Sequence, residues 1–130
     1  MGSDEVILLD THIWIEALSN SLQISEAVRK CIEDPDEVVA VSAVSHWELY
    51  MLIERGRITG DSHEGIKAAS DRLGVVSKPI TAEIAVLSRK IALNHQDPAD
   101  RFIAATAIAH RATLATRDAK LLGHSWLPTL

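Results

Sequence analysis

The chain has 130 residues, 47% apolar and 24% charged, which is typical of a globular domain and not of a disordered segment. Its length predicts one domain over residues 1–130, and its longest uncharged runs are too short to span a bilayer. The formal net charge of −5 at pH 7 argues against a nucleic-acid partner, unless cations held in an acidic site offset that charge locally.

Cysteine content and the amino-terminal pattern indicate the compartment. Cys31 is the only cysteine, which excludes an internal disulfide and a cysteine-based zinc site. The first apolar run is four residues long and follows two acids, so it does not resemble the core of a signal peptide. We therefore expect a cytoplasmic protein with no membrane contact.

Short apolar runs predict the strands. Residues 6–10 form a compact apolar run closed by an acid, a pattern that favours a buried parallel strand. Residues 38–41 repeat this pattern, and residues 75–80 and 113–116 are weaker versions of it. Residues 124–127 are interpreted as a short edge strand.

Between these runs, apolar residues recur at intervals of three and four, which predicts helices. The predicted helices cover about residues 24–32, 43–55, 62–73, 84–91 and 99–109, and the last is apolar on nearly every side. Gly56 and Gly74 follow two of them as stop signals. Strands that alternate with helices predict a three-layer α/β/α sandwich with a mostly parallel sheet of four to five strands.

Four acids fall near the predicted carboxyl ends of strands. Asp10 ends the first strand, Glu48 lies two turns into the next helix, Asp100 is in the first turn of the 99–109 helix, and Asp118 follows the strand 113–116. Open parallel sheets bind ligands at this edge, so we expect the four carboxylates to lie together. Since they would repel one another, and no cysteine accompanies them, the pattern favours Mg²⁺ or Mn²⁺.

Taken singly, each acid also has a purely structural interpretation. Residues 97–100 form a good helix start, in which Asp97 is the N-cap and a proline follows. Asp118 is placed to cap a short helix after it, and Ser45 with Glu48 has the spacing of a capping box. Asp10 has the alternative role of ending its strand. The conjunction of all four acids at one sheet edge favours the metal site.

Four motifs resemble the PIN-domain family, and within it the VapC-type toxins of bacterial toxin–antitoxin pairs. The motifs are LLDTH at 8–12, VSAVSHWEL at 41–49, DPADRFIAATA at 97–107 and LATRD at 114–118. They occur in the family's order and spacing and cover essentially the whole chain.

The resemblance implies an endoribonuclease that uses Mg²⁺ or Mn²⁺, is usually dimeric and is neutralised by an antitoxin protein. It assigns the acidic quartet to Asp10, Glu48, Asp100 and Asp118, and Thr11 and Thr116 to supporting positions. With such a quartet, a metal-activated water attacks the RNA phosphodiester and no protein nucleophile is needed. The chain contains no G-x-S-x-G nucleophile elbow, no P-loop and no dinucleotide-binding fingerprint.

Other polar and aromatic residues near these motifs have two interpretations each. His12 and His46 are expected to pack beside the site and not to bind metal directly, and the zincin pattern is absent. The tryptophans suit either base stacking or the core, and the core is favoured for all three; they are Trp14, Trp47 and Trp126. Arg101 and Arg117 suit either a phosphate path or an ion pair with a neighbouring acid.

Three other functions compete with the ribonuclease. A haloacid-dehalogenase-like phosphatase needs a second aspartate two residues after Asp10, where this chain has His12. A receiver domain needs its acid after a middle strand, and residues 38–44 contain none. A PIN-like scaffold or binding module that has lost catalysis is the remaining alternative, and the intact quartet argues against it.

Overall fold

The computed structural model describes residues 5–19, 23–58 and 63–130, and within them the chain forms four strands and six helices. The strands are β1 (Val6–Leu9), β2 (Val38–Ser42), β3 (Val75–Lys78) and β4 (Thr113–Ala115). The helices are α1 (Thr11–Leu18), α2 (Glu26–Glu33), α3 (Ala43–Glu54), α4 (His63–Arg72), α5 (Ala82–Lys90) and α6 (Pro98–Ala109). The first residue of the predicted 62–73 helix lies outside the described residues.

The four strands form one sheet in the order β3-β2-β1-β4, and every strand pair is parallel. Leu8 in β1 pairs with Ala40 in β2 on one side and with Leu114 in β4 on the other. The predicted α/β sandwich with a mostly parallel sheet is confirmed. The chain runs from β1 to β2 on one side, while β4 returns to the other side of β1, so the order reverses between β1 and β4.

Successive residues of β1 point to opposite faces of the sheet, and this alternation builds two separate cores. Ile7 and Leu9 pack in one core with the fully buried Trp14 of α1. Leu8 packs in the other core with Ile103 of α6. Helix α5 packs against α6, and α6 is buried along most of its length, as its apolar sequence predicts.

Residues 11–18 and 124–127 are among the segments that differ from the prediction. Residues 11–18 form a helix that the sequence pattern did not indicate, and Asp10 caps it. The edge strand predicted at residues 124–127 is wrong, because these residues form turns closed by a hydrogen bond from Leu127 N to His124 O. The chain pairs with β4 only after this turn, where Leu114 N donates to Pro128 O over 2.9 Å and Leu130 N donates to Leu114 O over 2.8 Å.

Helix and strand ends follow ordinary backbone chemistry. Gly74 adopts a φ of +75° two residues after the end of α4, a conformation that glycine reaches without steric cost. Strand β3 ends at Lys78 and not at residue 80, because Pro79 has no N–H to donate to the ladder. In the described part of the chain, no helix has the length and apolar character needed to cross a membrane.

Candidate active site

A cavity of about 260 Å³ opens at the carboxyl ends of β1 and β4. This is the point where the strand order reverses, and such points are the usual ligand sites of open parallel sheets. The acidic cavity is lined by polar side chains from several elements, among them Asp10, Glu48, Asp97, Asp100, Asp118 and Lys120. The four acids predicted from the sequence therefore line one cavity.

Asp10 lines this cavity and is buried, with 4% of its surface exposed. Its Oδ1 accepts a hydrogen bond from Thr11 N over 2.8 Å, so it caps α1. Its Oδ2 accepts from Thr116 Oγ1 over 2.6 Å, and His12 Nδ1 lies 3.5 Å from the same oxygen. Both carboxylate oxygens are held by groups that directly follow the strand ends, which fixes the orientation of the carboxylate.

Thr116 links Asp10 to Asp118. Its hydroxyl donates to Asp10 and also accepts a hydrogen bond from Asp118 N over 3.0 Å. Asp118 Oδ1 accepts from Lys120 N over 2.9 Å, which closes a tight turn. The short helix expected at residues 119–122 is wrong, because these residues continue as turns.

Glu48 reaches the cavity from α3 and is held by Thr11. The Thr11 hydroxyl donates to Glu48 Oε1 and is hydrogen-bonded to Ser45 Oγ, 2.7 Å away. The capping-box interpretation of Ser45 and Glu48 is wrong, since α3 is capped by Ser42, whose hydroxyl accepts from Val44 N. Thr11 and Thr116 therefore contact three of the four predicted acids.

The pKa of Glu48 is raised above its usual value, mainly by burial. The hydrogen bond from Thr11 opposes this shift, while the charges of Asp10 and Asp97 add to it. His12 lowers the pKa slightly by its proximity. Glu48 is thus a carboxylate whose charge is disfavoured by its surroundings and only partly stabilised by one hydroxyl.

Asp100 carries the larger shift. Its side chain is 13% exposed, and burial, followed by the charges of Asp97, Asp10, Asp118 and Glu48, raises its pKa to about 7. Among the described residues, no N–H or O–H group donates a hydrogen bond to its carboxylate. An ionised Asp100 is therefore repelled by its neighbours, and a bound cation would reverse that effect.

Arg101, next to Asp100, is buried and faces away from the cavity. Its guanidinium donates over 2.7–3.0 Å to the carbonyls of Ser88, Ile91, Leu93 and His95. Both interpretations of Arg101 from the sequence, a phosphate contact and an ion pair, are therefore wrong. The guanidinium instead ties the end of α5 and the following loop to the start of α6, which places Asp97 and Asp100 at the cavity.

The remaining residues considered from the sequence are placed as follows. Arg117 forms an ion pair as one of its two interpretations expects, but its partner is Glu16 on α1 and not the adjacent site acid. Trp14 is fully buried, whereas Trp47 is 58% exposed, so its assignment to the core is wrong because it lies on the outer face of α3. Trp126 is partly buried against the core beside α6.

Lys120 and His95 were not singled out from the sequence. Lys120 follows Asp118 by two residues, which is a signal that a turn at the strand end would bring it to the same cavity. His95 lies beside Asp100 only because Arg101 shapes the preceding loop, and no local pattern predicts such a contact.

The donor chemistry of the cavity fits a hard divalent cation, since its acids offer only oxygen ligands. Within residues 5–19, 23–58 and 63–130, no three Asp, Glu, His or Cys side chains already converge as a closed metal-binding group. Mg²⁺ does not require one, because it keeps several waters and is usually held by one or two carboxylates. Five acids line the cavity beside a single lysine, and a bound cation would offset their mutual repulsion.

The sequence and fold are similar to those of known proteins. Residues 7–124 match the PIN domain family. A ribonuclease of Mycobacterium tuberculosis, Ribonuclease VapC22, is 34% identical over 123 residues, which cover 91% of each chain.

Two solved structures share the fold. VapBC2 from Rickettsia felis, bound to a DNA fragment from its promoter, has a TM-score of 0.70 at 18% identity and covers 96% of this chain and 97% of its own. A toxin–antitoxin complex from Klebsiella pneumoniae has a TM-score of 0.67 at 22% identity and covers 93% and 94%. At these identities the likeness extends to the fold.

Proposed function

This chain belongs to the PIN-domain family, and from that premise we propose that it is a metal-dependent endoribonuclease that acts as the toxin of a toxin–antitoxin pair. The observation that carries the proposal is that four carboxylates from separate parts of the chain line one cavity at the reversal point of the sheet. The relative at 34% identity is a ribonuclease, which favours RNA as the substrate.

Asp10, Glu48, Asp100 and Asp118 would hold Mg²⁺ or Mn²⁺ in this cavity. When bound, such an ion supplies Lewis-acid polarisation of the phosphodiester and lowers the pKa of a water. Thr116 and Thr11 contribute by orientation, because their hydroxyls fix Asp10 and Glu48 before any ligand arrives. Asp10 is the most rigid of the four carboxylates, since both of its oxygens accept hydrogen bonds from the chain.

Electrostatics make cation binding a precondition for RNA binding. The cavity gathers five carboxylates around one lysine, Lys120, so it repels phosphate until a cation compensates the acids. The formal net charge of −5 adds a weaker, long-range repulsion. We therefore expect weak and strongly salt-dependent RNA affinity for the isolated chain.

Protein partners are part of the same proposal. Structures similar to this chain include toxin–antitoxin complexes, which supports a cognate antitoxin that inhibits the cavity. We also propose a homodimer, on the basis of the family resemblance, and light scattering at micromolar concentration tests it, since a monomer there contradicts the proposal. A cytoplasmic location would give the enzyme access to its RNA.

Cleavage of an RNA panel tests the proposed activity. The purified chain is incubated at low salt with single-stranded RNAs and Mn²⁺, with and without a chelator. We expect cleavage that requires Mn²⁺ and that is lost in Asp10→Asn. Asp71→Asn is the matched control, because Asp71 lies on α4 in a surface ion pair with Lys67, so its loss should leave cleavage unchanged. RNA that stays intact with Mn²⁺ favours the scaffold without catalysis.

A further inference from the structure

His95 is a partly buried side chain whose two ring nitrogens have no hydrogen-bond partner among the described residues. It lies in the loop between α5 and α6, and 24% of its side chain is exposed. Both ring nitrogens are nevertheless inaccessible, and neither has a hydrogen-bond partner among the described residues. Buried polar atoms in native proteins are almost always paired, so such a histidine needs an explanation.

The carboxylate of Asp100 provides this explanation. His95 Nε2 lies 3.8 Å from Asp100 Oδ2, just beyond hydrogen-bond distance. No other described group donates to the Asp100 carboxylate. An imidazole always carries at least one ring N–H. The His95 ring is therefore a hydrogen-bond donor without an acceptor, and it lies beside the Asp100 carboxylate, an acceptor without a donor.

The backbone fixes the ring next to Asp100. The carbonyl of His95 accepts a hydrogen bond from Arg101 Nη1 over 3.0 Å, and the same nitrogen donates to the carbonyl of Leu93. Arg101 directly follows Asp100 on α6, so the loop that carries His95 and the helix that carries Asp100 are tied together. His95 itself does not line the acidic cavity, and its effect on a ligand there must pass through Asp100.

We propose that His95 is a positioning residue, whose ring N–H donates to Asp100 Oδ2 and turns that carboxylate toward the acidic cavity to hold a divalent cation. The proposal rests on the proposed function, because it assigns a role in metal binding. A shift of about 1 Å brings the two atoms into hydrogen-bond distance. Groups that hydrogen-bond a metal ligand in this way typically change metal affinity by about 10–100-fold when removed.

Calorimetric titration with Mn²⁺ tests this role directly. His95→Leu keeps an apolar side chain in the loop but removes the donor, and we expect about 10–100-fold weaker Mn²⁺ binding. His95→Gln places an amide N–H near the position of Nε2, and we expect it to restore most of the affinity. His110→Leu is the matched control, because His110 follows the opposite end of α6 from Asp100, and it should bind Mn²⁺ like the wild type.

Cleavage assays add a second readout. His95→Leu should raise the Mn²⁺ concentration for half-maximal RNA cleavage by a similar factor, and His95→Gln should reverse this.

Wild-type Mn²⁺ affinity in a folded His95→Leu overturns the inference and leaves the proposed function intact. A wild-type chain that binds no Mn²⁺ overturns the proposed function itself. If His95→Leu is unfolded by circular dichroism, His95→Gln is compared with His95→Asn, whose shorter amide does not reach Asp100, and equal affinities overturn the inference.

Discussion

The two sides of the acidic cavity are built differently. On the Asp10 side, both carboxylate oxygens accept hydrogen bonds, from Thr11 N and from the hydroxyl of Thr116. On the Asp100 side, no described group donates to the carboxylate, and burial with the surrounding acids raises its pKa to about 7. The first carboxylate is fixed by hydrogen bonds within the fold, whereas the charge of the second has no such hydrogen bond and would be stabilised by a bound cation.

This difference assigns separate tasks to the two sides. The Asp10 side provides a preorganised anchor, because it is made by residues that directly follow β1 and β4. The Asp100 side responds to the ligand, because the free energy of ionising Asp100 depends on what compensates its neighbours. A metal ion would therefore find one ligand already oriented and would itself stabilise the other.

The largest expected effect comes from removing the charge of Asp100. We expect Asp100→Asn to lower the rate of RNA cleavage in Mn²⁺ by more than about 100-fold, since loss of a ligand should exceed loss of a group that only supports one. The variant should fold, because asparagine has nearly the same shape and is not repelled by the other acids. Cleavage rates and circular dichroism check this, and a folded, active variant would remove Asp100 from the site.

The next largest effect should follow from weakening the Asp10 side. Thr116→Val removes the hydroxyl that donates to Asp10 and accepts from Asp118 N. We expect an activity loss of about 10–100-fold and a destabilisation of about 1–3 kcal/mol, because a buried acceptor and a backbone N–H both lose their partner. Thr116→Ser, which keeps the hydroxyl, should recover most of both. A Thr116→Val variant that keeps wild-type activity and stability, beside a Thr116→Ser variant that loses them, would show that the methyl group, and not the hydroxyl, matters.

A smaller effect is expected on stability as a function of pH. In the unfolded chain Asp100 titrates near its ordinary pKa of 3.8, while in the folded chain burial and the nearby acids raise its pKa to about 7. Between these values the folded state binds more protons than the unfolded state, so Asp100 lowers the free energy of unfolding as pH rises from about 4 to 7. This contribution is absent in Asp100→Asn.

Urea unfolding without metal measures that contribution. The stability of Asp100→Asn relative to the wild type should increase steadily over this pH range. Saturating Mn²⁺ should suppress the decline in the wild type, because a ligand of the native state stabilises it by mass action. A pH-independent difference between the two proteins would mean that Asp100 is not destabilised by its surroundings.

The Asp10 side was the more predictable from sequence. Asp10 and Asp118 follow apolar runs that predict strands, and parallel strands bring their carboxyl ends to one edge of the sheet. The local pattern and the sheet topology were therefore enough to place these two acids together. Helix α1 was not predicted because Ile13, Trp14 and Ile15 are three consecutive apolar residues, which do not by themselves distinguish a strand from a helix, and the cap from Asp10 and burial of Trp14 decide the outcome.

The Asp100 side required tertiary structure. Asp97 and Pro98 indicate the start of α6, and so the position of Asp100 was predicted. Its surroundings were not predicted, because the contact with His95 depends on four carbonyls that accept hydrogen bonds from Arg101, one at the end of α5 and three in the irregular loop that follows it. The pairing of residue Thr129 with Leu114 was missed for a similar reason, since a turn shifts it past the apolar run.

The smallest effect is expected at Asp97, which lines the cavity next to Asp100 but has a structural task. Its Oδ1 accepts a hydrogen bond from Ala99 N over 3.1 Å and so caps α6. Asparagine caps helices about as well as aspartate, so Asp97→Asn should change stability by less than about 0.5 kcal/mol.

Asp97→Asn should also retain RNA cleavage, and this result would distinguish the role of Asp97 from that of Asp100. The charge of Asp97 is the largest electrostatic contribution to the raised pKa of Asp100 after burial, so its removal should lower that pKa and leave Asp100 more readily ionised. Cleavage in Mn²⁺ should then stay near the wild-type rate, with a smaller decline of metal-free stability between pH 4 and 7. An inactive Asp97→Asn with an active Asp100→Asn would invert the ligand assignment. Loss of activity in both would place Asp97 in the site as a fifth acid, and the responsive side of the cavity would then consist of two carboxylates on the first turn of α6.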